Sequence, residues 1–292
     1  MSHLNQLPDG SPELLDWEGF AITKNSAGLF FRNYSGYETR NESTLKIICQ
    51  AVQQYGVKNF KWVLISTGDI EAGSEITDLS GHKFKCFSYS TQRNNHHLTI
   101  PDFVFDHWEQ TGLDDYESTR NWLKRLDHFS PETNCLGWRG ANTNPTRSAL
   151  TLRNDKINYD CEFVTWDRSS PDRLTAENFL SFPDQVKKWR FFIDMEGRGY
   201  SGRLKLLLAS PRLVFIQERV HEEFFFPNLI AWVHYIPVQN NLSNLEENLD
   251  IVRSNPSLEK EIIANQRNFS QLYLTRDFAL YKMAQILTNI DD

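Results

Sequence analysis

Continuous apolar runs alternate along this chain with segments of helical spacing. The runs predict strands at "GLFFRNY" (28–34), "FKWVLIST" (60–67, a buried strand), "CLGWRG" (135–140), "YDCEFVTWD" (159–167), "FFID" (191–194), "RLVFIQE" (212–218) and "AWVHYIPV" (231–238). Between the first two, "STLKIICQAVQQYG" has apolar residues at helical spacing, which predicts a helix capped by Ser43 and ended by Gly56. This alternation predicts an α/β fold.

The C-terminal part has a helical pattern. Ser243 followed by Glu246 makes a capping box before "LEENLDIVRS", and Pro256 separates that helix from two more helical segments. A boundary after "RLDHFS" and Pro131, near residue 130, divides the chain into two α/β halves. We expect an N-terminal domain at residues 1–130.

Composition narrows the class of protein. The 292 residues are 40% apolar and carry a net charge of −7, which removes the general attraction that non-specific nucleic-acid binding requires. We therefore expect no nucleic-acid partner, and any anion must be bound locally. The four cysteines are widely spaced, which predicts buried free thiols rather than a disulfide scaffold or a zinc site.

The first residues lack the basic and apolar regions of a secretory signal, and no run reaches the roughly 18 apolar residues of a membrane span. We expect a cytoplasmic protein without a transmembrane segment. Peripheral membrane association stays open, because an amphipathic surface can be built from segments far apart in sequence.

The stretch "FIDMEGRGYSGRLKLLLAS" contains a literal G-x-G-x-x-G, and Glu218 follows at the distance of the ribose-binding acid in a dinucleotide site. Arg198, Arg203 and Lys205 crowd the same turn, however. A dinucleotide site needs few side-chain cations, and a cation in the first helical turn opposes the helix dipole unless an anion lies nearby. Three hypotheses stay open here: a NAD site, another phosphate site, and a glycine turn that only serves packing.

A longer stretch carries a family resemblance. "FFIDMEGRGYSGRLKLLLASPRLVF", "EEFFFPNLIAWVHYIPVQNNLSNLEENLDIVRSNP", "WRGANTNPTR" and "ISTGD" resemble glycosyltransferase family 90, which groups protein O-glucosyltransferases with lipopolysaccharide-modifying enzymes. The resemblance covers residues from about 60 to about 270. It implies a GT-B architecture, in which two Rossmann-like domains face each other across a cleft.

The resemblance also implies a UDP-sugar donor as co-substrate, without a cofactor or metal. Residues 131–270 become the nucleotide-sugar-binding domain, residues 1–130 the acceptor side, and residues 271–292 a C-terminal helix expected to pack back on the N-terminal domain. The residues implied at the donor diphosphate are Arg139, Gly197, Arg198, Gly199, Tyr200, Ser201 and Arg203. Two arginines can stabilise the charge that grows on the leaving diphosphate, as a metal does elsewhere.

Thr143 and Glu223 are implied at the donor ribose or sugar, with Glu222 as the alternative to Glu223. Asp102 and Phe103 are implied on the acceptor side, and the segment 160–166 in the uracil pocket.

Asp69 is the candidate catalytic residue. From the residues alone, a carboxylate after a buried strand is either a turn former or a general base that takes the proton of an acceptor hydroxyl. The resemblance implies the base, in one displacement with inversion, although Thr67 and Gly68 precede it here where eukaryotic members have an Arg-Asp dipeptide.

The resulting hypothesis is an inverting glycosyltransferase that moves glucose or xylose from a UDP-sugar to a hydroxyl acceptor, a glycan or a protein. A polysaccharide or lipopolysaccharide glycan is the preferred acceptor. The alternatives are a non-catalytic nucleotide-sugar or carbohydrate-binding protein and, more remotely, a NAD-dependent oxidoreductase.

Overall fold

The computed structural model describes residues 7–70, 73–92, 95–164 and 178–290, which form two compact units. The first unit consists of Met1–Asp106, Val220–Phe224 and Asp277–Asp292, and the second of His107–Arg219 and Phe225–Arg276. The domain boundary predicted at residue 130 falls inside the second unit. The predicted C-terminal segment 271–292 is divided between the two units, because the second unit ends at Arg276 and the first includes Asp277–Asp292.

The strands are β1 (Gly19–Asn25), β2 (Gly28–Asn33), β3 (Phe60–Ser66), β4 (Glu75–Thr77), β5 (Lys83–Phe87), β6 (Thr91–Gln92), β7 (Thr133–Gly140), β8 (Tyr159–Phe163), β9 (Trp189–Asp194), β10 (Leu213–Gln217), β11 (His221–Glu222) and β12 (Ile236–Val238). The helices are α1 (Glu38–Tyr55), α2 (Tyr116–Arg125), α3 (Pro145–Thr151), α4 (Phe182–Lys188), α5 (Leu204–Ala209), α6 (Leu245–Ser254), α7 (Pro256–Tyr273) and α8 (Arg276–Thr288). Among the described residues, no helix combines the length and apolarity that crossing a bilayer requires.

The first unit contains a mixed sheet in the order β2-β1-β3-β5-β4, in which β3 and β5 are parallel and the other neighbours antiparallel. Ala21, Trp62, Leu64 and Cys86 form a buried cluster on this sheet. A separate antiparallel pair joins β6 to β11. Strand β3 is buried at six of its seven positions, which explains its nearly continuous apolar sequence.

The second unit contains a sheet in the order β12-β10-β9-β7-β8, and every neighbouring pair is parallel. All of β10 is buried, and its inward residues pack with those of β7, β9, α6 and α7 in one core. Helices α6, α7 and α8 follow the last strand. The prediction of an α/β fold with C-terminal helices is confirmed.

Gly137 allows the indole of Trp189 to lie directly on strand β7. A Cβ atom at residue 137 would be 1.8 Å from Cδ2 of Trp189, so any side chain there would displace the ring. From this position the indole Nε1 donates to Asp160 Oδ2 at 2.8 Å, across the β7–β8 edge of the sheet. The close packing of Trp189 on Gly137 therefore places a hydrogen-bond donor beside the buried carboxylate of Asp160.

Two predicted helix caps are wrong. Helix α1 begins at Glu38, five residues before Ser43, and Ser43 is buried within the helix. The prediction missed this first turn because its residues are polar and show no apolar periodicity. Helix α6 begins after Asn244, while the hydroxyl of Ser243 donates to Gln239 instead of capping the helix. The end of α1 at Gly56, which has φ 61°, is confirmed.

Two other expectations differ from the structure. Strand β12 covers only the last three residues of the run 231–238, since Trp232 has a positive φ of 63° that takes the chain out of extended geometry. Cys49 is exposed, whereas Cys86, Cys135 and Cys161 are buried free thiols as expected.

Candidate functional site

The glycine-rich loop follows strand β9 in the second unit and ends where α5 begins at Leu204. The amide of Gly197 donates to the carbonyl of Tyr200 at 3.2 Å, which closes a tight turn. A Cβ atom on Gly197 would be 3.4 Å from Nη2 of Arg147 and 3.6 Å from Oγ1 of Thr143. The turn therefore lies against residues that follow strand β7, and the structure brings Gly197 and Thr143 together.

Asp194, the last residue of β9, is fully buried beneath this loop. Its Oδ1 accepts a hydrogen bond of 2.6 Å from Ser201 Oγ, and its Oδ2 accepts one of 2.6 Å from Arg219 Nη2. Nε of Arg203 lies 3.5 Å from Oδ1. Because Ser201 donates its hydroxyl hydrogen to Asp194, that hydroxyl is engaged inside the protein.

Two further contacts fix Arg203 at the carboxyl ends of β7 and β9. Its Nη1 donates to the carbonyl of Arg139, and its Nη2 donates to the carbonyl of Ile193 at 3.2 Å. The side chain is 12% exposed. Within the described residues, these contacts leave two of the five guanidinium N–H groups of Arg203 unused.

Arg147, from helix α3, joins the loop after β7 to the loop after β9. Its guanidinium donates to the carbonyls of Ala141, Met195 and Glu196 at 2.8 to 2.9 Å. Its Cζ lies 5.4 Å from a ring centroid of Trp138, the same distance as Cζ of Arg203. Burial lowers the pKa of Arg147 to about 10, with a further lowering by the charges of Arg203 and Arg219.

The loop therefore gathers more positive than negative charge. We call Arg147, Arg203 and Arg219 the arginine cluster; Asp194 and Glu196 are the carboxylates that act on it. Nη1 of Arg219 is buried and has no hydrogen-bond partner among the described residues. Like charges that share a buried site need a counter-charge, and a phosphate group supplies one with oxygens that accept from guanidinium groups.

The other residues predicted at the diphosphate differ in exposure. Arg198 is exposed at the tip of the loop, whereas Gly199 and Tyr200 are buried. Nζ of Lys205 lies 5.8 Å from the Tyr200 ring centroid, beneath the loop. Arg198 is thus the solvent-exposed cation of the set, and Lys205 is fully buried.

Arg139 has no guanidinium nitrogen left without a protein oxygen. Its Nε donates to the carbonyl of Asn178, its Nη1 to the carbonyls of Trp138 and Asp160, and its Nη2 to Asp160 Oδ1. The same Nη2 lies 3.1 Å from Glu162 Oε2, and Arg139 is 6% exposed. We therefore leave Arg139 out of the arginine cluster.

Asp160, assigned by resemblance to the uracil pocket, is buried and accepts from Lys156, Lys188 and Trp189 as well as Arg139. Burial alone would raise the pKa of Asp160, but these hydrogen bonds lower it well below its usual range. Residues 165 and 166 of the same assignment lie outside the described residues.

In the first unit, two residues predicted by resemblance, Asp69 and Phe103, contact one arginine. Nη1 of Arg40 donates to Asp69 Oδ1 at 2.9 Å, and its Cζ lies 5.0 Å from the ring centroid of Phe103. Asp102 precedes Phe103 and is 1% exposed. Burial raises the pKa of the neighbouring Tyr89; the charge of Arg40 lowers it, and the charges of Asp102 and Asp69 raise it. Asp69 and Phe103 thus lie beside Arg40, and the charges of Arg40, Asp69 and Asp102 all act on Tyr89.

The predicted ribose and sugar contacts belong to different units: Thr143 is exposed in the second, and Glu223 is 3% exposed in the first. Glu222, the alternative, pairs through Oε2 with Nε2 of His96 at 3.2 Å. Within 7–70, 73–92, 95–164 and 178–290, no three His, Cys, Asp or Glu side chains are grouped as metal ligands would be.

Sequence reasoning missed Arg40, Arg147 and Arg219. Arg40 precedes the predicted start of its helix, so its position on the first turn was hidden. Arg147 ends the segment "WRGANTNPTR", so its signal is the family resemblance of that segment. Arg219 contacts a carboxylate 25 residues away, and no local pattern marks it.

Comparisons with known proteins identify the family. The sequence profile of Glycosyl transferase family 90 matches residues 34–290. Protein O-glucosyltransferase 1 of Mus musculus is 30% identical over 223 residues, which are 70% of this chain and 56% of the relative. The Homo sapiens protein of the same name is 31% identical over 211 residues, 65% of this chain and 53% of the relative.

The chain spans about half the length of these curated relatives. Among solved structures, a glycosyltransferase from Rickettsia africae ESF-5 is similar with a TM-score of 0.44 and 12% identity, over 89% of this chain and 85% of that one. Since the family profile covers most of the sequence, the chain belongs to glycosyl transferase family 90.

Proposed function

We propose that this protein is an inverting glycosyltransferase that moves a sugar from a UDP-sugar to a hydroxyl acceptor. The relatives named O-glucosyltransferases make UDP-glucose the first donor to test, with UDP-xylose second. The proposed acceptor is a hydroxyl of a polysaccharide or lipopolysaccharide glycan. A protein hydroxyl is the second acceptor, in keeping with the names of the relatives.

The arginine cluster is the observation that carries this proposal. It lies at the carboxyl ends of β7 and β9 in a parallel sheet, which is where ligands bind in open α/β sheets. Arg203 has unused N–H groups there, and Arg219 has a buried Nη1 without a partner among the described residues. We assign these donors, with the Gly197–Ser201 turn, to the diphosphate.

The proposed chemistry follows from charge. As the C1–O bond to UDP breaks, the electron pair stays on the diphosphate oxygen, and nearby guanidinium groups stabilise that growing charge. A dedicated metal ion is then not needed for this role, and we propose transfer that proceeds in the presence of EDTA. The acceptor oxygen attacks C1 from the opposite side, which inverts the configuration there.

Asp69 is proposed as the base that takes the acceptor proton. A hydroxyl attacks poorly unless its proton leaves as the new bond forms. Asp69 is 35% exposed, and its position after strand β3 is typical of functional carboxylates in α/β folds. The product leaves with the new glycosidic bond, and UDP leaves with the electron pair.

Replacing Arg203 with glutamine tests the diphosphate assignment. We expect Arg203→Gln to weaken UDP binding about 10- to 100-fold, because it removes charge-assisted hydrogen bonds of about 1.5–3 kcal/mol. Calorimetric titration with UDP measures the affinity. The matched control is Arg190→Gln, at the start of the same strand β9, where the arginine pairs with Glu259 instead. Equal UDP affinity in both variants would remove Arg203 from the site.

A further inference from the structure

The side chain of Arg40 is held in one geometry beside Asp69. The guanidinium Cζ lies 4.3 Å from the Tyr37 ring centroid and 5.0 Å from the Phe103 ring centroid. One nitrogen, Nη1, donates both to Asp69 Oδ1 at 2.9 Å and to the carbonyl of Thr67 at 3.2 Å. The two aromatic rings restrict the guanidinium, so its bond to Asp69 has a defined direction.

The neighbouring residue of helix α1 secures the same segment. Thr67 Oγ1 donates to Asn41 Oδ1 at 2.6 Å, and Asn41 Nδ2 donates to Asn33 Oδ1 at 2.7 Å. Thr67 and Asn41 are both buried. Two consecutive residues in the first turn of α1 therefore hold the chain that leads from β3 to Asp69.

This arrangement engages one carboxylate oxygen. Within the described residues, the hydrogen bond and the ion pair of Asp69 both run through Oδ1, and no group donates to Oδ2. A base must present an oxygen to the acceptor hydroxyl in a fixed direction, and an orienting partner on the other oxygen achieves this. The carboxylate is also open enough, at 35% exposure, to meet a hydroxyl.

We propose that Arg40 is the positioning residue for Asp69, an inference that rests on the proposed function. The acceptor O–H proton moves to Asp69 Oδ2 while the acceptor oxygen bonds to C1 of the sugar. The C1–O bond to UDP breaks, and UDP keeps the electron pair. Arg40 keeps its own proton throughout and holds Oδ1.

A purely structural ion pair would behave differently. Pairs between partly exposed side chains contribute little to stability, and both partners here are partly exposed, at 17% and 35%. Loss of such a pair would lower stability slightly and would leave the kcat of the folded protein nearly unchanged. A positioning role makes the effect of Arg40 depend on Asp69.

A double-mutant cycle separates the two roles. The variants are Arg40→Ala, Asp69→Asn and the double variant, and the assay is UDP release from UDP-glucose with water as acceptor. We expect Arg40→Ala to lower kcat about 10- to 100-fold. In the Asp69→Asn background, the same change should alter kcat less than about twofold, because no base is left to orient.

Three further measurements separate a positioning effect from loss of donor binding or of folding. UDP affinity in Arg40→Ala should stay within about twofold of wild type, since the effect lies in kcat rather than in donor binding. Arg32→Ala is the control. Arg32 also stacks on a tyrosine of the first unit, with its Cζ 5.5 Å from the Tyr34 ring centroid, and among the described residues it contacts none of the predicted site residues. Arg40→Lys keeps the positive charge but lacks the planar guanidinium, and it should retain more activity than Arg40→Ala. If the alanine variant unfolds, Arg40→Lys still tests the role, with a kcat between those of the wild type and Asp69→Asn.

The outcomes distinguish this inference from the proposed function. Equal fold-losses from Arg40→Ala in both backgrounds, or wild-type kcat in Arg40→Ala, would overturn the positioning role alone. UDP release unaffected by Asp69→Asn would overturn the assignment of the base. Absence of UDP release by the wild-type protein from UDP-glucose and UDP-xylose would contradict the proposed function and this inference with it.

Discussion

Asp69→Asn should bind UDP within a few-fold of the wild-type affinity and lose about 10² to 10⁴ in the rate of sugar transfer, measured as UDP release from UDP-glucose. Asparagine keeps the size of the side chain and still offers an oxygen to Arg40, so the local structure has little reason to change. The amide cannot take a proton, and the acceptor oxygen then attacks as a neutral hydroxyl.

Glu18 provides the matched control for Asp69→Asn. Its Oε2 lies 2.8 Å from the position of a Cβ atom on Gly68, so it is another carboxylate close to this turn. We expect Glu18→Gln to keep transfer within about threefold of wild type, as substitutions of surface residues outside a site usually do. A large loss in Glu18→Gln together with full activity in Asp69→Asn would transfer the role of base to Glu18.

Asp160→Asn should lower the free energy of unfolding by about 3 kcal/mol, measured by denaturant titration at neutral pH. The carboxylate is 3% exposed and accepts hydrogen bonds from Arg139 and Trp189, both of which are buried. Without the negative charge, Arg139 remains buried, and Glu162 is its one remaining ion-pair partner within the described part of the chain. We expect the lower end of the range for broken buried pairs, about 3–5 kcal/mol, because Glu162 compensates in part.

The same variant has a pH signature. The lowered pKa of Asp160 means that its contribution to stability is complete above about pH 4, the ordinary pKa of an aspartate, and is lost as the pH falls through the lower folded-state pKa. The stability difference between wild type and Asp160→Asn should therefore shrink below about pH 4. Asp184→Asn is the control, since its ion pair with Lys187 is exposed and spans 3.9 Å. A difference that stays constant down to pH 3 would contradict this account of Asp160.

Several strands of the fold could be predicted from the sequence because burial on both faces produces continuous apolar runs. Strands β3, β9 and β10 are of this kind, whereas β1, β4, β5, β6 and β11 were not predicted. Helix α1 was predicted too short because its first turn is held by polar contacts of Arg40 and Asn41 with Thr67. Apolar periodicity carries no information about such contacts.

The candidate site could be predicted only in part, for a related reason. The glycine turn and Arg203 form one local pattern, and Asp69 directly follows a buried strand. Arg147 and Arg219 join the site through partners 49 and 25 residues away, at Glu196 and Asp194 respectively. Arg139 shows the opposite case, since its sequence context is that of a ligand contact while its guanidinium is saturated by protein oxygens.

Calorimetric titration of the purified protein with UDP, in buffer containing EDTA and with NAD as the control ligand, tests the central claim most directly. It needs no knowledge of the acceptor. The arginine cluster predicts UDP binding with a dissociation constant on the order of micromolar and no heat from NAD. Binding that appears only after manganese is added would contradict the metal-independent site, and no UDP binding under either condition would contradict the nucleotide-sugar donor itself.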